Sequence, residues 1–300
     1  MKKTTLFLFF FSLLIHSGII YSQFEPFYDR KNSANVLLLL NLKGKVRSVE
    51  QVSYKAIDNG GVITKGVKEN NSQGCVNGDF LMQFDASGRE TKETYYDEMK
   101  IMMVLNHKFN DALKIEDIEK TEETNKVVYE YTYKYNAKGK VLELKTTQNC
   151  SDNTSYNNKS VFKYDTSDKL IETNIYVNGG AKSQGKTLFT YDSRGVLSER
   201  QAYNEDGKPW FKYTFKYDDK GNQLEENAWT LDNRKIDKTF VYKYDSNNNV
   251  IQKDLFQPAG KLSKSFTYKY EYDKTGNWIK RTDFIDNKVT YILERQLVYY

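Results

Sequence analysis

Acidic residues are the most plentiful side chains in this sequence that could carry out chemistry. Two carboxylates can hydrolyse a glycosidic bond, one as the acid and the other as nucleophile or base. Four glutamates, however, recur eight residues after an aromatic-Asp or aromatic-Asn pair: Glu143, Glu172, Glu199 and Glu225. A catalytic pair should break such a period, because a repeat creates many equal positions and an active site needs one special one. These glutamates therefore predict a surface stripe, and the sequence predicts that the protein is not an enzyme.

Histidine, the usual general base and metal ligand, is almost absent. The chain has 2 histidines, of which His16 lies in the apolar start and His107 in a predicted strand. A histidine-based triad or a multi-histidine metal site is therefore disfavoured. The stretch that begins at Asp245 invites a calcium interpretation, but an EF-hand loop would need Glu at its twelfth position, where the sequence has Phe256. We predict no metal site and no cofactor.

The elements that must position these residues repeat along the chain. The motif Tyr-Asp-x-x-Gly-Asn is complete after Tyr217 and Tyr272, and the copy at Tyr191 lacks the final Asn. Looser copies begin at Phe84, Phe109, Tyr135, Tyr164 and Tyr244. The eight anchors follow one another in steps of 25 to 29 residues. Such a period indicates stacked supersecondary units.

Each anchor ends a predicted strand and begins a turn. Aromatic residues alternate with polar ones up to the anchor, as at Phe215 and Tyr217, so a period of two places the aromatics on one face and lysines on the other. In the Asp-x-x-Gly that follows, Asp accepts backbone N–H bonds and Gly supplies the left-handed residue. The predicted turn residues are Asp85, Gly88, Asp192, Gly195, Asp218, Gly221, Asp273 and Gly276. Asp168 and Asn248 replace the glycine in two units, and Leu113 predicts a degenerate turn in another.

A return strand and a second turn complete each unit. Eight units give roughly sixteen antiparallel strands in chain order. The predicted fold is all-β: tandem β-hairpin repeats in a long, twisted antiparallel meander, curled toward a half-shell or open barrel, since a flat layer would expose its aromatic face. Trp229 and Trp278 occupy repeated apolar positions and are predicted in the core.

Trp210 departs from this pattern. Counting back by twos from Tyr213 reaches Phe211, which places Trp210 on the wet face. The alternative is that a bulge after Pro209 turns the ring inward. Because an exposed Trp suggests a contact, Trp210 is the candidate ligand-contact residue.

The 2 cysteines, Cys75 and Cys150, lie nearly three units apart. Strands about 4.8 Å apart would separate them by roughly 25–30 Å along an unclosed sheet. A disulfide needs Cα atoms within about 7 Å of each other. We therefore predict two free thiols.

Composition and charge fit sheets with one wet face. The chain has 24 Tyr, 17 Phe and 3 Pro, with a mean hydropathy of −0.74. This aromatic content excludes disorder. The formal net charge of +5, with both signs interspersed, is too mild to predict a nucleic-acid partner.

The start of the chain has the pattern of a secretory signal peptide. Lys2 and Lys3 precede the apolar run Leu6–Ile15, and Ser22 precedes a plausible cleavage point. The run is too short for a membrane span, so we expect a protein that is exported to the periplasm, the cell surface or the medium and does not span the membrane after cleavage. The predicted organisation is a signal peptide at 1–22, an N-terminal β cap at 23–80 and the repeat array at 81–300.

The in-phase Tyr-Asp-x-x-Gly-Asn copies resemble those of the YD-repeat, or RHS-like, proteins over roughly residues 80–300. The segment Leu42–Val46, Leu-Lys-Gly-Lys-Val, is similar to the opening of short exported repeat proteins of Bacteroidetes. The resemblance implies long arrays wound into hollow shells, some around a C-terminal toxin, and others labelled carbohydrate-binding. Here the period is longer and the array too short to enclose a cargo domain, so the strand-turn pattern is carried over and the toxin-delivery role is not.

The leading functional expectation is a non-catalytic exported binding protein that recognises a glycan or a protein at the cell envelope. The runner-up is a structural scaffold that self-associates through an uncovered aromatic face or sheet edge. A glycan-active enzyme and an outer-membrane barrel are further alternatives, and the polar return strands, such as residues 223–227, disfavour the barrel.

Overall fold

The computed structural model describes residue 37 and residues 40–69, 78–97, 100–109, 115–120, 128–149, 155–230 and 234–300. Leu113, Cys75, Cys150 and the predicted signal peptide lie outside the described residues, as does the side chain of His107. The predictions made for them stay predictions.

The described chain is built from strands joined by tight turns. The strands are β1 (Val46–Asn59), β2 (Val62–Lys68), β3 (Asp79–Phe84), β4 (Glu90–Asp97), β5 (Lys100–Phe109), β6 (Ile115–Lys120), β7 (Val128–Tyr135), β8 (Val141–Asn149), β9 (Ser155–Tyr164), β10 (Leu170–Val177), β11 (Gly185–Tyr191), β12 (Leu197–Asn204), β13 (Pro209–Tyr217), β14 (Gln223–Trp229), β15 (Ile236–Tyr244), β16 (Val250–Gln257), β17 (Lys261–Tyr272), β18 (Trp278–Ile285) and β19 (Lys288–Tyr299). A short 3-10 turn, Pro258–Gly260, joins β16 to β17. All these strands belong to one antiparallel sheet, in which each strand from β3 onward pairs with the next. The predicted all-β meander is confirmed.

The turns after the anchors are held by one carboxylate or amide each. At Asp192, Oδ1 accepts the backbone N–H groups two and four residues later, both at 2.9 Å. Gly195 has a φ of +83°, a conformation that glycine adopts without strain. Equivalent turns contain Asp85 with Gly88, Asp218 with Gly221, and Asp273 with Gly276. Asp168 and Asn248, which replace glycine, have φ values of +62° and +63°.

Anchor tyrosines connect several units to the one before. The hydroxyl of Tyr164 donates to the carbonyl of Val141 at 2.9 Å, and that of Tyr191 donates to the carbonyl of Leu170 at 2.7 Å. Tyr244 makes the same bond to its preceding unit at 2.8 Å. Phenylalanine could not donate this bond, which gives a physical reason for tyrosine at the anchor.

The two faces of the sheet carry different side chains. The aromatic face bears the alternating rings that lead to each anchor, with Phe215 and Tyr242 buried. The lysine face bears the predicted glutamate stripe, in which every glutamate pairs with a lysine of the neighbouring strand. The pairs are Lys134–Glu143 (3.2 Å), Lys163–Glu172 (2.5 Å), Lys212–Glu199 (2.8 Å) and Lys216–Glu225 (2.9 Å).

Two clusters of buried apolar side chains form the core. One contains Leu40, Val46, Val49, Phe80, Met82 and Phe84. The other contains Tyr133, Val141, Leu144, Phe162 and Leu170. The first cluster joins residues 40–49 to β3, and Leu297 and Tyr299 of β19 pack against it.

The curl of the sheet brings its last strand beside its first. One edge of β1 pairs with β19, from Val46 opposite Tyr299 to Lys55 opposite Tyr291. The other edge pairs with β3 and, farther along, with β2. The region predicted as an N-terminal cap therefore contributes a strand that contacts both the beginning and the end of the array.

In the part of the chain that the structure describes, no helix is long and apolar enough to span a membrane.

Candidate functional site

Trp210 lies at the start of β13 and is 41% exposed. The pairing of β12 with β13 shifts at this point, so that Ala202 faces Phe211 and Tyr203 faces Pro209. Trp210 is thus the extra residue of a bulge. Its ring contacts that of Phe211 at a centroid distance of 5.8 Å and still keeps a large surface in solvent.

A second set of rings lies on the lysine face, close to the second turn of each unit. Trp229 shows the geometry: its Nε1–H donates to Oγ1 of Thr214 at 3.2 Å, and Nζ of Lys212 lies 4.8 Å from the ring centroid. Trp278 is buried, as predicted, but Trp229 is only half-buried and lies on the opposite face. The sequence had predicted that aromatics and lysines lie on separate faces of the sheet. This prediction is wrong for Trp229, which lies on the lysine face.

The bulge beside each anchor turn explains this difference. The pairing of β13 with β14 shifts between Lys216 and Tyr217, which adds one residue to the return strand. Residues six and twelve positions after an anchor would share a face in a regular strand. Because of the extra residue, they lie on opposite faces.

These rings form what we call the outer aromatic row: Tyr176, Tyr203, Trp229, Phe256 and Phe284. Lysines lie over four of the rings at 4.7 to 5.4 Å: Lys159 over Tyr176, Lys186 over Tyr203, Lys212 over Trp229 and Lys269 over Phe284. Each contact of this kind is worth about 0.5–1 kcal/mol at an exposed site. Successive rings are two strands apart, or roughly 10 Å. The row thus repeats one aromatic and cationic contact along the sheet.

A cleft of about 240 Å³ opens beside Phe256. Its walls are Ile236, Thr239, Phe256 and the turn from Gln257 to Gly260. Ile236 pairs with Trp229 across the strands, and Phe256 pairs with the half-exposed Leu262. The cleft therefore lies within a mostly apolar surface.

Ionisable residues also occupy the aromatic face, at a position that the sequence reasoning did not single out. Arg200, Glu226, Lys253 and Arg281 each follow an anchor by nine residues. Burial raises the pKa of Glu226, against a hydrogen bond from Gln223 at 3.1 Å. Burial lowers the pKa of Lys253, whose ammonium lies 4.6 Å from the ring centroid of Phe240. The period would have revealed these residues had the bulge been included in the count.

Among the described residues, no group of three or more His, Cys, Asp or Glu side chains is placed to hold a metal ion.

Comparison with known proteins identifies no family for this chain. No family model matches the sequence, and no curated protein matches it. A porin-like protein from Bacteroides uniformis ATCC 8492 is 12% identical, covers 85% of this chain and 98% of its own, and has a TM-score of 0.41. A porin-like protein from Bacteroides vulgatus ATCC 8482 is 11% identical over 85% of this chain and 98% of its own, with a TM-score of 0.35.

The Tc holotoxin pore of Photorhabdus luminescens is 12% identical over 73% of this chain and 16% of its own, with a TM-score of 0.22. At these TM-scores the likenesses support no conclusion about function.

Proposed function

We propose that this chain is a non-catalytic exported protein that binds a glycan through the outer aromatic row and Trp210. The observation that carries the proposal is the exposed Trp210 on β13. This strand lies between β12 and β14, which carry Tyr203 and Trp229 of the evenly spaced row of rings. Flat rings pack against the apolar C–H faces of sugars, while polar groups beside them bind the hydroxyls. A spacing of roughly 10 Å between rings suits a long polymer better than a single small molecule.

The cleft at Phe256 supports the same use of this surface. Ligand sites are concave and mostly apolar, with a few polar groups that fix orientation. The backbone of the turn from Gln257 to Gly260 provides such groups beside the apolar walls. The hydroxyl of Thr239, whose O–H donates to Oδ1 of Asn227 at 2.6 Å, can still accept a hydrogen bond. A sugar unit in the cleft would anchor a chain that continues over the neighbouring rings.

The state of the glutamate stripe argues against a catalytic role for its members, and Glu226, whose pKa burial raises, lies on the face opposite the proposed glycan site. A glycosidase needs one carboxyl group whose pKa is raised, so that it can donate a proton near neutral pH. The hydrogen bond from Lys163 instead lowers the pKa of Glu172. Glu225 also has a lowered pKa, because hydrogen bonds from Asn227 and Lys216 outweigh the opposing effect of burial.

Export, an envelope location and membership of the YD-repeat proteins belong to the same proposal. The charged and apolar pattern of residues 1–22 supports export. The recurrent Tyr-Asp-x-x-Gly motif supports the resemblance to the YD-repeat proteins. Some members of that family are labelled carbohydrate-binding.

A glycan array probed with the mature chain, residues 23–300, tests the proposal. The Trp210→Ala variant should lose binding by tenfold or more, because it removes an exposed ring without disturbing the core. Leu224→Ala is the matched control, since Leu224 is similarly exposed on the same sheet but lies outside the row. Binding that survives in Trp210→Ala would contradict this location of the site, and an array without any binding would contradict glycan recognition itself.

Self-association is the second candidate, and the β1–β2 hairpin favours it. β2 pairs with β1, and we find no further partner for β2 among the described strands. Val62 and Val67 of β2 are 63% and 67% exposed. An edge strand of this kind can pair with another chain. A concentration series in analytical ultracentrifugation should then show a dimer that Val67→Lys abolishes, and a monomer at every concentration would eliminate this candidate.

A further inference from the structure

A charged residue replaces an aromatic ring in the last strand. Arg295 stands four residues before Tyr299 on the aromatic face of β19. At the equivalent position the three preceding units have Tyr213, Phe240 and Tyr268. Arg295 is 7% exposed, and its guanidinium carbon lies 3.6 Å from the ring centroid of Trp278. The stacked guanidinium fills the space of a ring but introduces a buried positive charge.

Uncharged acceptors take up only some of the N–H donors of this guanidinium. Nε donates to Oε1 of Gln51 at 3.0 Å, and Nη1 donates to the carbonyl of Leu40 at 3.1 Å. A guanidinium has five N–H donors. The others have no acceptor, and Arg295 has no carboxylate partner, among the residues that the structure describes.

The neighbouring charges do not neutralise Arg295. Arg281 on β18 is bound in a two-point ion pair to Asp283, with Nε to Oδ1 at 2.7 Å and Nη2 to Oδ2 at 2.8 Å. These three side chains together keep one positive charge. Burial, followed by repulsion from Arg281, holds the pKa of Arg295 well below its ordinary value. A buried ion without a counter-ion is costly to maintain, so the protein would gain stability from an anion at this point.

We propose that Arg295 anchors a binding site for an oxyanion: a carboxylate, or a phosphate or sulfate group, that reaches it from the aromatic face. The open N–H groups of a guanidinium form a planar fork that matches two oxygens of such an anion. The stack on Trp278 and the bonds to Gln51 and Leu40 hold this fork in one orientation. The site lies on the face opposite the outer aromatic row, so it does not depend on glycan binding there.

Trp278 is the natural reporter for this site. The chain has 3 Trp, so the double substitution Trp210→Phe and Trp229→Phe leaves Trp278 as the single fluorophore. The mature protein is titrated with sodium acetate, phosphate or sulfate, with chloride added to hold the ionic strength constant. We expect a saturable change in Trp278 fluorescence with at least one of these anions and a matching rise in Tm, since a ligand that binds the folded state stabilises it.

Substitutions at Arg295 decide between a site and a purely structural side chain. Arg295→Gln should weaken anion binding by tenfold or more, and Arg295→Lys, which keeps the charge but loses the fork, should also weaken it. Lys274→Gln, in an exposed position on the nearby turn, is the control and should bind as tightly as the parent. If Arg295→Gln fails to fold, the parent titration and Arg295→Lys still give the answer.

Two results would overturn the proposal. In one, none of the three anions produces a saturable response beyond that of chloride. In the other, an anion binds equally well to the parent and to an Arg295 variant, which would place it elsewhere. Acetate acting alone would identify a carboxylate site, and phosphate or sulfate acting alone would identify a tetrahedral oxyanion.

Discussion

The carboxylate of Asp192 stabilises its own turn, and it does so more strongly when it is ionised. The backbone N–H of Val196 is the main cause of its lowered pKa, with further contributions from Arg194. The pKa values of Asp85 and Asp218 are lowered as well, because hydrogen bonds within their turns outweigh the opposing effect of burial. Acid sensitivity is therefore distributed over the repeated turns.

Acid should destabilise the protein through these turns. A folded-state pKa below the unfolded value of about 3.9 gives stability that is complete above that pH and is lost as the pH falls through the folded-state pKa. Asp192→Asn should flatten the fall in Tm below about pH 4. The turn itself should persist, because Asn136 makes the same two backbone bonds at its own turn. Thermal melts across this range test the prediction. Asp206→Asn, on an exposed second turn, is the control and should leave the acid limb as steep as in the parent.

Alkaline pH should act through the partly buried tyrosines. Burial raises the pKa of Tyr270 to about 12, and its hydroxyl donates to the carbonyl of Val250 at 2.9 Å. Unfolded tyrosine ionises near pH 10, so stability should fall as the pH rises above about 10. Tyr270→Phe should lessen this fall, at a cost of about 0.5–1.5 kcal/mol at neutral pH for the lost bond.

Urea unfolding of Tyr270→Phe at pH 8 and pH 11 measures both effects. The exposed Tyr156→Phe is the control. If the free energy of unfolding falls equally between pH 8 and pH 11 in the parent and in Tyr270→Phe, the ionisation of Tyr270 is not the cause of the alkaline loss of stability.

At the scale of elements, the segment before β1 is attached to the turns at the end of the array. Asn277 is 1% exposed; its Oδ1 accepts the N–H of Lys43 at 2.7 Å, and its Nδ2 donates to the carbonyl of Lys43 at 2.8 Å. Asn41 donates to the carbonyl of Asn247 at 2.8 Å. Two of the last turns therefore hold the segment that leads into β1.

Asn277→Ala should cost about 2–3 kcal/mol of unfolding free energy, because it leaves both backbone groups of Lys43 without their partner in a buried place. Asn222→Ala is the matched control: Asn222 has the same position in an earlier unit, where it donates to Asp218 of its own turn at 2.9 Å and to Asn248 of the next turn at 3.3 Å. Urea unfolding should show a clearly smaller loss for Asn222→Ala. Equal losses would mean that this repeat position stabilises its own turn and not the N-terminal segment.

The sequence predicts the hairpin elements well because their signals are local. Alternation before Tyr217 and the turn residues Asp218 and Gly221 lie within a few positions of one another, and they suffice to identify a strand and a turn. Counting residues could not predict on which face of the sheet Trp229 lies. The bulge next to the turn adds a residue to the strand, and no distinctive side chain marks it in the sequence. Arg295 is visible in the sequence as a break in the period, but its missing counter-ion is visible only in the structure.

At the scale of the whole molecule, β1 couples the ends of the array. Val49 is fully buried between β3 and β19, where it faces Met82 on one side and Leu297 on the other. The sequence of β1 does not indicate that β19 is its partner, because pairing between strands so far apart in sequence depends on how far the sheet curls. This contact was beyond prediction from the sequence.

The described chain should unfold as one cooperative unit. Repeat arrays whose units contact only their neighbours can lose terminal units first, but β1 holds the terminal strands of this array together. Leu293→Ala, in the buried centre of β19, should cost about 2–5 kcal/mol. It should shift the melting curves of far-UV circular dichroism and tryptophan fluorescence together. Separate transitions for the two probes would contradict this coupling.

The pairing of β1 with β19 also determines the order in which the chain can fold. Gln51 and Arg295, neighbours in the finished sheet, are 244 positions apart in sequence. Among the described strands, the first to be synthesised can therefore complete its pairing only after the last has been made. Contacts of such long range slow folding because a large loop must close first. Until then β1, a strand of 14 residues, presents one unpaired edge. In a crowded refolding mixture, the β19 of a second molecule can take that place, and the product is a domain-swapped dimer in which each copy completes the sheet of the other.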